Sequence, residues 1–348
     1  MNVWQFLLIW LGFFWGGFLT GILGFVWARK KRWHLGESLI LVWAFLFLGM
    51  NIFFGLEGFF RFVYDSSDMF LVTRVGQEWM RRHVKLNGDG FRDKEFEAKK
   101  PGVLRVGVIG DSFTLGHGIG EVEDRFSNIL EKKLSEVCQE RVEVYNLGRG
   151  GWNTKEEVEY LLGEGKGFNF DGVILAYTLN DITADAVSEP PEFRVYGGNR
   201  ILQTLILKSY FFNFFYYRLV GMIEGTTREY DNWQRGLFFE EPTWTAHKNH
   251  FKKLKEGMGE KQKLLVVAFP FMGQLGKDYP YLEVHHKLDD FFEGEGILYL
   301  DMVDDFLERE KGELMVNRYD AHPNEEANKI VAQKFFENIE LLVECTKK

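Results

Sequence analysis

The stretch VLRVGVIGDSFTLG, residues 103–116, decides how this 348-residue chain folds. Residues 103–109 form a β-branched run with little polar alternation, which is typical of a strand covered on both faces of a sheet. The run leads directly into Gly110-Asp111-Ser112, so the serine follows a strand end. Ligands of parallel sheets bind beyond the carboxyl ends of the strands. Ser112 is therefore predicted to project into a ligand-binding crevice.

Similar short runs recur after this stretch, separated by longer helical patterns. The predicted strands cover residues 103–109, 142–145, 173–177, 264–269 and 297–300. The predicted helices cover residues 124–137, 154–162, 281–292 and 324–343. This alternation predicts an α/β domain over residues 101–348, with a parallel sheet covered by helices on both faces.

An aromatic-rich insertion at about 187–262 interrupts the alternation. Its residues 201–225 are strongly apolar and include the run YFFNFFYY at 210–217. Lys208, Asn213 and Arg218 make this segment a poor membrane-spanning helix. Three interpretations remain open: a helix at the bilayer surface, the lining of a site for an apolar substrate, or a helix packed on the domain.

The first 60 residues predict a transmembrane hairpin. Residues 3–28 and 38–56 carry no charged side chain, and each run exceeds or approaches the ~20 residues that cross a bilayer core. The basic cluster RKKR at 29–32 lies between them, and the positive-inside rule assigns it to the cytoplasm. We expect two spans in the inner membrane, a juxtamembrane linker over 61–100 and an extracytoplasmic main domain.

Small residues recur at every fourth position of the first span. They are Gly12, Gly16, Thr20, Gly24 and Ala28. On a helix this spacing forms one smooth stripe that permits close packing of another helix. The second span of the same chain and a second copy of the chain are the two candidate partners.

Charge and cysteine content limit the partners. Acidic side chains outnumber basic ones by 49 to 38 outside the first 60 residues, which argues against a nucleic-acid partner. Cys138 and Cys345 can form a disulfide in an oxidising compartment or remain thiols. His247 with His250, and His285 with His286, lack a zinc-binding pattern, so we predict solvated helix surfaces and no metal.

Two common interpretations of the loop around Ser112 do not fit. A phosphate-binding P-loop needs lysine after its second glycine, whereas His117 and Gly118 stand there. The nucleophile elbow of α/β-hydrolases needs glycine two residues after the serine, and Thr114 occupies that position.

The loop instead resembles the first signature block of the SGNH/GDSL hydrolases, and three further blocks follow in order. They are NLGRGGWNT at 146–154, TLND at 178–181 and DAHPN at 320–324. The resemblance covers residues 101–343, and NGDGFRD at 87–93 resembles a segment that precedes the domain in membrane-anchored bacterial relatives. It implies the flavodoxin-like SGNH hydrolase fold and a serine hydrolase that needs no cofactor.

The resemblance also implies roles, and these agree with serine chemistry. Ser112 would be the nucleophile and His322 the base that activates it. Asp320 would orient His322, with Asp301 and Asp304 as alternatives, because Tyr319 stands where most relatives have the aspartate. The oxyanion hole would combine the backbone N–H groups of Ser112 and Gly151 with the side-chain amide of Asn180.

Further residues of the blocks have local roles. Asp111 and Asp181 are predicted to organise their loops by accepting backbone hydrogen bonds. Thr178, where relatives usually have glycine, would narrow the pocket.

The predicted function is hydrolysis of carboxylic esters through an acyl-enzyme. Its substrate would be a small ester, a lipid, or an O-acetyl group on an envelope polysaccharide. The spacing of Asp320 and His322 resembles the alginate O-acetyltransferase-like branch. The alternative is therefore an O-acetyltransferase that uses the same triad and a separate membrane partner.

Overall fold

The computed structural model describes residues 1–31, 33–68, 73–191, 199–221, 224–259, 262–309 and 312–348. The chain divides into two compact units. The hairpin unit comprises Met1–Ser66, Thr73–Glu78 and Arg194–Met222. The sheet unit comprises Ser67–Val72, Trp79–Phe193 and Ile223–Lys348.

Helices and strands alternate along the sheet unit. The helices of the whole chain are α1 (Val3–Lys30), α2 (His34–Gly58), α3 (Arg74–His83), α4 (Ser112–Leu115), α5 (Phe126–Val137), α6 (Thr154–Leu162), α7 (Arg200–Lys208), α8 (Tyr210–Gly221), α9 (Glu224–Leu237), α10 (Glu241–Gly257), α11 (Leu282–Glu295), α12 (Val303–Leu307) and α13 (Glu325–Glu337). The strands are β1 (Val103–Gly110), β2 (Arg141–Gly148), β3 (Gly172–Thr178), β4 (Lys263–Phe269), β5 (Leu298–Asp301), β6 (Met315–Asn317) and β7 (Asp320–Pro323).

Five strands form one parallel sheet in the order β2-β1-β3-β4-β5. This is the flavodoxin-like order, in which the direction of strand addition reverses after the second strand. Right-handed crossovers then put the connecting helices on opposite faces of the sheet. Helix α5 packs with α13 on one face and α6 packs with α10 on the other. The predicted three-layer α/β fold class is confirmed.

The strand register brings the functional loops to one edge. Gly110 at the end of β1 pairs with Gly148 of β2 and with Ala176 of β3. Thr178 at the end of β3 pairs with Phe269 of β4. Because these ends coincide, the loops that begin at residues 111, 149, 179 and 270 emerge side by side.

The last sequence block lies on a strand that the sequence pattern did not predict. Strands β6 and β7 form a two-stranded antiparallel ribbon, with Asn317 opposite Asp320 and Met315 opposite Pro323. The Asn317 side chain closes the turn by accepting a hydrogen bond from the Tyr319 N–H at 2.9 Å. The final helix begins at Glu325, as expected, but ends at Glu337 rather than 343.

The two cysteines form a disulfide between Cys138, after α5, and Cys345 near the end of the chain. The bond joins residues 207 positions apart. The alternative of two free thiols is therefore wrong for this structure, in which the C-terminal segment is tied to the edge of the sheet that carries β2.

The hairpin unit contains two helices that are long and apolar enough to cross a membrane, at Val3–Lys30 and Ser38–Val63, judged by length and composition. They run antiparallel, since Phe13 contacts Phe47 and Phe6 contacts Phe54. The Trp10 indole N–H donates a hydrogen bond to the Asn51 side chain at 3.0 Å. Most other large side chains on both helices are exposed, as lipid-facing residues would be.

The glycines of the predicted small-residue stripe do not form the close helix contact, although Ala28 at its end is buried beside Gly36 of α2. A Cβ atom at Gly12, Gly16 or Gly24 would meet no atom within 4 Å. At Gly17 and Gly21 it would lie 2.4 Å from the rings of Phe47 and Trp43, respectively. The close approach thus uses glycines offset from the stripe by one position, because the large rings of α2 need the room.

Candidate active site

Ser112 is the first residue of α4, directly beyond β1. Asp111 caps this short helix by accepting a hydrogen bond from the Phe113 N–H at 2.8 Å. The turn passes so close to β2 that a Cβ atom on Gly148 would lie 2.1 Å from the Leu115 nitrogen. The glycine that ends β2 is therefore required for Ser112 to reach its position.

His322 meets Ser112 from the ribbon. Its Nε2 atom lies 2.8 Å from the Ser112 hydroxyl oxygen, and its Nδ1 atom is hydrogen-bonded to the Asp320 carboxylate. Side chains two residues apart on a strand point to the same side. The two-residue spacing of aspartate and histidine thus suits strand β7, and it brings Ser112, His322 and Asp320 together.

The two alternative aspartates lie elsewhere. Asp301 ends β5 and accepts a hydrogen bond from His285 Nδ1 at 2.8 Å. His285 is in turn 3.2 Å from the Tyr279 hydroxyl, which accepts a hydrogen bond from the Phe271 N–H. Asp304 is exposed on α12. Asp301 therefore supports the loop at Phe271 and does not contact His322 in this arrangement.

The sequence missed two further partners of Asp320. The His117 Nε2 atom lies 3.3 Å from Asp320 Oδ2, and the Ser67 hydroxyl donates a hydrogen bond to the same oxygen. Glycines at positive φ on both sides of His117, Gly116 (75°) and Gly118 (86°), turn the chain toward the carboxylate. Ser67 is 253 residues away from Asp320, and no local pattern links them.

These contacts determine the charge of the buried carboxylate. Burial alone would raise the pKa of Asp320, but the interactions with His117 and His322 outweigh it and hold the pKa well below its usual range. Burial lowers the pKa of His117, and the bond to Asp320 opposes this only in part. These directions leave Asp320 ionised and His117 neutral at neutral pH. His117 Nε2 lies beside the carboxylate, while its Nδ1 atom lies 3.2 Å from the Met80 sulfur.

We expect His117→Phe to make the site more sensitive to acid. A carboxylate whose pKa is lower in the folded than in the unfolded state adds to the free energy of unfolding at pH values above its unfolded pKa. This contribution is lost as the pH falls through the folded pKa. Without the interaction with His117 the folded pKa of Asp320 rises, so this stability is lost at a higher pH. The midpoint of acid inactivation should move upward, and kcat/KM at pH 7 should fall about tenfold, or ~1.4 kcal/mol.

The matched variant His117→Gln retains an N–H donor, and its midpoint should lie between those of wild type and His117→Phe. An unchanged midpoint in His117→Phe would show that the contact with Asp320 has no electrostatic role.

The predicted oxyanion donors lie on the loops at this edge. Gly151 has φ of 81° in a turn closed by a hydrogen bond from the Trp152 N–H to the Arg149 carbonyl at 3.1 Å. The Arg149 N–H donates to the Gly110 carbonyl, which ties this turn to the nucleophile strand. Asn180 is exposed and lines the same cavity as His322. Their role with the Ser112 N–H remains a prediction.

A segment before β1 supports the loop that follows Ser112. Phe91 and Arg92 are buried, and Arg92 donates hydrogen bonds to the carbonyls of Gly116, Ile119 and Gly120, each at 2.8 Å. The NGDGFRD motif thus lies within the sheet unit and supports the loop that contains His117.

A cavity of about 540 Å³ adjoins His322. Its walls are mainly apolar and aromatic, with polar groups at a few points. They include Phe113, Leu179, Phe269, Phe271, Met272, Asn180, Tyr230, Asp231, Gln274 and Tyr319. An apolar cavity with a few convergent polar groups is the usual form of a small-molecule site.

Three carboxyl groups are buried behind Ser112. The Thr178 hydroxyl oxygen lies 3.0 Å from a carboxyl oxygen of both Asp111 and Asp181, and its single hydrogen can be donated to only one of them. Asp181 also accepts a hydrogen bond from the Thr154 hydroxyl. Both carboxyl oxygens of Glu157 are buried and without a hydrogen-bond partner among the described residues. Burial raises the pKa of all three groups, and their mutual repulsion adds to the shift of Asp181 and Glu157.

Glu157→Gln should stabilise the protein increasingly as pH rises. A carboxyl group with a raised folded pKa stays protonated in the native state while the unfolded chain releases its proton, so wild type loses stability with rising pH. The variant avoids this loss, which is about 1.4 kcal/mol per pH unit between the two pKa values. Denaturant unfolding at pH 5 and pH 8 measures the difference. The exposed Glu159→Gln is the control, and a gain that does not depend on pH would refute the explanation.

The prediction of solvated helix surfaces is wrong for His247 and His285, which are fully buried, whereas His286 is exposed. Asp185 bridges His247 and His250 at 2.9 Å each, and the second nitrogen of His247 lies 3.0 Å from the Tyr177 hydroxyl. The ring nitrogens of His247, His250 and His285 thus have ordinary hydrogen-bond partners within the protein.

One group of described residues has the spacing that a metal ion needs. His117, Asp320 and His322 each offer a ligand atom, and these atoms lie within 4.8 Å of one another. The same atoms already contact one another: His322 Nδ1 is hydrogen-bonded to Asp320, His117 Nε2 lies 3.3 Å from Asp320, and His322 Nε2 lies 2.8 Å from the Ser112 hydroxyl oxygen.

No protein-family model matches the sequence, and no curated protein does. Similar solved structures include a lipolytic protein of the G-D-S-L family from Veillonella parvula, with 14% identity, a TM-score of 0.41, and coverage of 69% of this chain and 100% of that one. TesA has 13% identity and a TM-score of 0.43 (69% and 99% covered). The acetyl xylan esterase AlAXEase has 16% identity and a TM-score of 0.41 (68% and 100% covered).

Proposed function

We propose that this protein is a membrane-anchored serine hydrolase of the SGNH/GDSL type that cleaves carboxylic esters through an acyl-enzyme. The supporting observation is the continuous hydrogen-bonded chain from the Ser112 hydroxyl through His322 to the buried Asp320. A serine hydroxyl becomes a useful nucleophile when a positioned base accepts its proton. A carboxylate on the far side of the imidazole fixes the tautomer and stabilises the imidazolium.

The reaction would proceed in two transfers. The Ser112 oxygen attacks the ester carbonyl carbon while His322 Nε2 takes the hydroxyl proton. The tetrahedral intermediate collapses, His322 gives this proton to the departing alcohol oxygen, and the acyl group stays on Ser112. Water then attacks the acyl carbon while His322 takes its proton. The second tetrahedral intermediate collapses with cleavage of the bond to Ser112, His322 returns the proton to the Ser112 oxygen, and the acid is released. The N–H groups of Ser112 and Gly151 and the amide of Asn180 would stabilise the oxyanion in both transfers.

The proposed location is the outer face of the cytoplasmic membrane. Two apolar helices flank the basic cluster at 29–32, which is expected in the cytoplasm. The Cys138–Cys345 disulfide supports an oxidising compartment for the sheet unit.

The test uses the full chain in detergent with p-nitrophenyl esters and a fluorophosphonate probe. We expect turnover in water and covalent labelling of Ser112. Absence of turnover in water, with acyl transfer appearing only when a polysaccharide acceptor is added, would favour the alternative O-acetyltransferase. Absence of both reactions in well-folded protein would refute the proposal.

The apolar cavity predicts a dependence on acyl chain length. Each methylene group buried in the transition state contributes about 0.8 kcal/mol, so kcat/KM should rise about fourfold per added methylene until the cavity is filled. A series of p-nitrophenyl esters from acetate to palmitate measures this rise. A flat series would indicate that the cavity does not hold the acyl group.

A further inference from the structure

Helices α7 and α8 of the insertion belong to the hairpin unit, where α8 packs on the end of α2 and α7 packs on α8. The ring of Phe60, in the π-helical turn Phe59–Val63 that continues α2, lies 4.2 Å from the ring of Phe214. Phe53 contacts Phe212 at 5.4 Å between ring centroids. Arg74 adds a backbone hydrogen bond to the Asn213 side chain at 2.8 Å.

A single carboxylate fixes the start of α8. Glu57 is buried and accepts hydrogen bonds from the Ser209 hydroxyl (2.7 Å) and from the N–H groups of Tyr210 (3.0 Å) and Phe211 (2.9 Å). A negative charge is favourable at a helix N-terminus, where N–H groups lack partners within the helix. Glu57 thus joins the end of the second apolar run to the first turn of α8.

The position of Glu57 along α2 determines how deep in the bilayer the contact between α2 and the start of α8 lies. From Ser38 to Glu57 the helix rises about 30 Å at ~1.5 Å per residue. This length equals the ~30 Å thickness of a bilayer hydrocarbon core. With the basic cluster at 29–32 on one side of the membrane, the junction lies at the opposite boundary.

The outer faces of α7 and α8 are apolar. Ile201 is 73% exposed and Leu219 is 64% exposed. Leu202, Leu205, Leu207 and Phe215 are also exposed, whereas Ile206 is buried. Soluble surfaces rarely present such a group of large apolar side chains. Residues 199–221 also contain Arg200, Lys208 and Arg218 and no acidic residue.

We propose that α7 and α8 lie in the headgroup region of the bilayer leaflet next to Glu57, with their aliphatic faces inserted between lipids. This inference rests on the proposed membrane anchoring. An apolar face with flanking basic residues is typical of interfacial helices and suits anionic headgroups. The lipid contact of α2 thereby continues onto the insertion, which holds the hairpin unit at a fixed depth.

The test measures depth by fluorescence quenching in the full chain. Both native cysteines are in the disulfide, so a single added cysteine can carry an NBD label. We use Leu205→Cys on α7, Leu219→Cys on α8 and Leu46→Cys in the middle of α2, in nanodiscs of phosphatidylcholine and phosphatidylglycerol. Nitroxide is placed on the headgroup or near the acyl-chain end.

We expect the labels at 205 and 219 to be quenched about twofold more by the headgroup nitroxide than by the deep one, and the label at 46 to show the reverse. Suppose that the label at position 46 is quenched by the deep nitroxide and that the labels at 205 and 219 are quenched by neither lipid. This result would overturn the interfacial placement of α7 and α8 but would support the proposed membrane anchoring. Energy transfer between labelled copies without lipid quenching would mean that a second chain covers this face, which also overturns it. If 46 is not quenched, the proposed anchoring itself fails.

Discussion

Ser112→Ala is expected to lower kcat/KM for short esters by at least about 10⁴-fold and to abolish fluorophosphonate labelling. The Ser112 hydroxyl oxygen is the atom that would form the acyl bond. The alanine side chain is a methyl group and carries no oxygen. His322 then has no proton to accept, and any remaining turnover depends on oxyanion stabilisation and on water. Substrate binding should persist, because the walls of the cavity are unchanged.

Ser135→Ala is the matched control, because Ser135 is an exposed serine on α5. Its activity should equal that of wild type. A competitive ester analogue should bind Ser112→Ala with nearly the wild-type Kd, which separates loss of chemistry from loss of folding. If Ser112→Ala kept a tenth of the activity, another nucleophile would have to be sought.

Asp320→Asn is expected to lower kcat by about 10³–10⁴-fold. Asp320 is buried and receives hydrogen bonds from His322 and Ser67, with His117 at 3.3 Å. The amide removes the negative charge that stabilises the imidazolium, and its NH₂ group competes for the tautomer of His322. A steady-state comparison of kcat and KM at several pH values measures the loss, which should lie in kcat.

Two aspartates considered from the sequence provide the controls. Asp304→Asn changes an exposed side chain and should have no effect. Asp301→Asn weakens the support of His285, and through Tyr279 that of the loop at Phe271, so we expect a lower Tm and less than about a tenfold change in kcat/KM. If Asp301→Asn were as inactive as Asp320→Asn, the assignment of Asp320 as the partner of His322 would be wrong.

The sequence predicted the parts of the fold that follow from local patterns. Fully buried strands such as β1 and β3 have a distinctive apolar composition, and because they are parallel neighbours they end at the same edge of the sheet, with Gly110 opposite Ala176. This reasoning predicted that Ser112, Asn180 and the loop at Gly151 lie at the same edge of the sheet. The signature blocks added His322 and Asp320, which come from a separate ribbon. The predicted domain boundaries and catalytic roles stay predictions.

The sequence did not predict the contacts that depend on tertiary packing. Ser67 and His117 reach Asp320 from distant segments, and neither carries a periodic signal. Glu157 belongs to an ordinary amphipathic helix, and only the packing of α6 reveals that its carboxyl group is buried. The same holds for the glycines of α1, because the positions of Trp43 and Phe47 on α2 determine which glycines are required for close helix packing.

The interleaving of the two units along the chain has a practical consequence for making a water-soluble form. Truncation after Ser66 would remove Glu57 and Phe60 but retain α7 and α8, whose aromatic rings would then face water. Such a fragment is expected to self-associate. A monodisperse preparation therefore calls for two excisions, the N-terminal segment and residues 194–222, with a short flexible splice at the second.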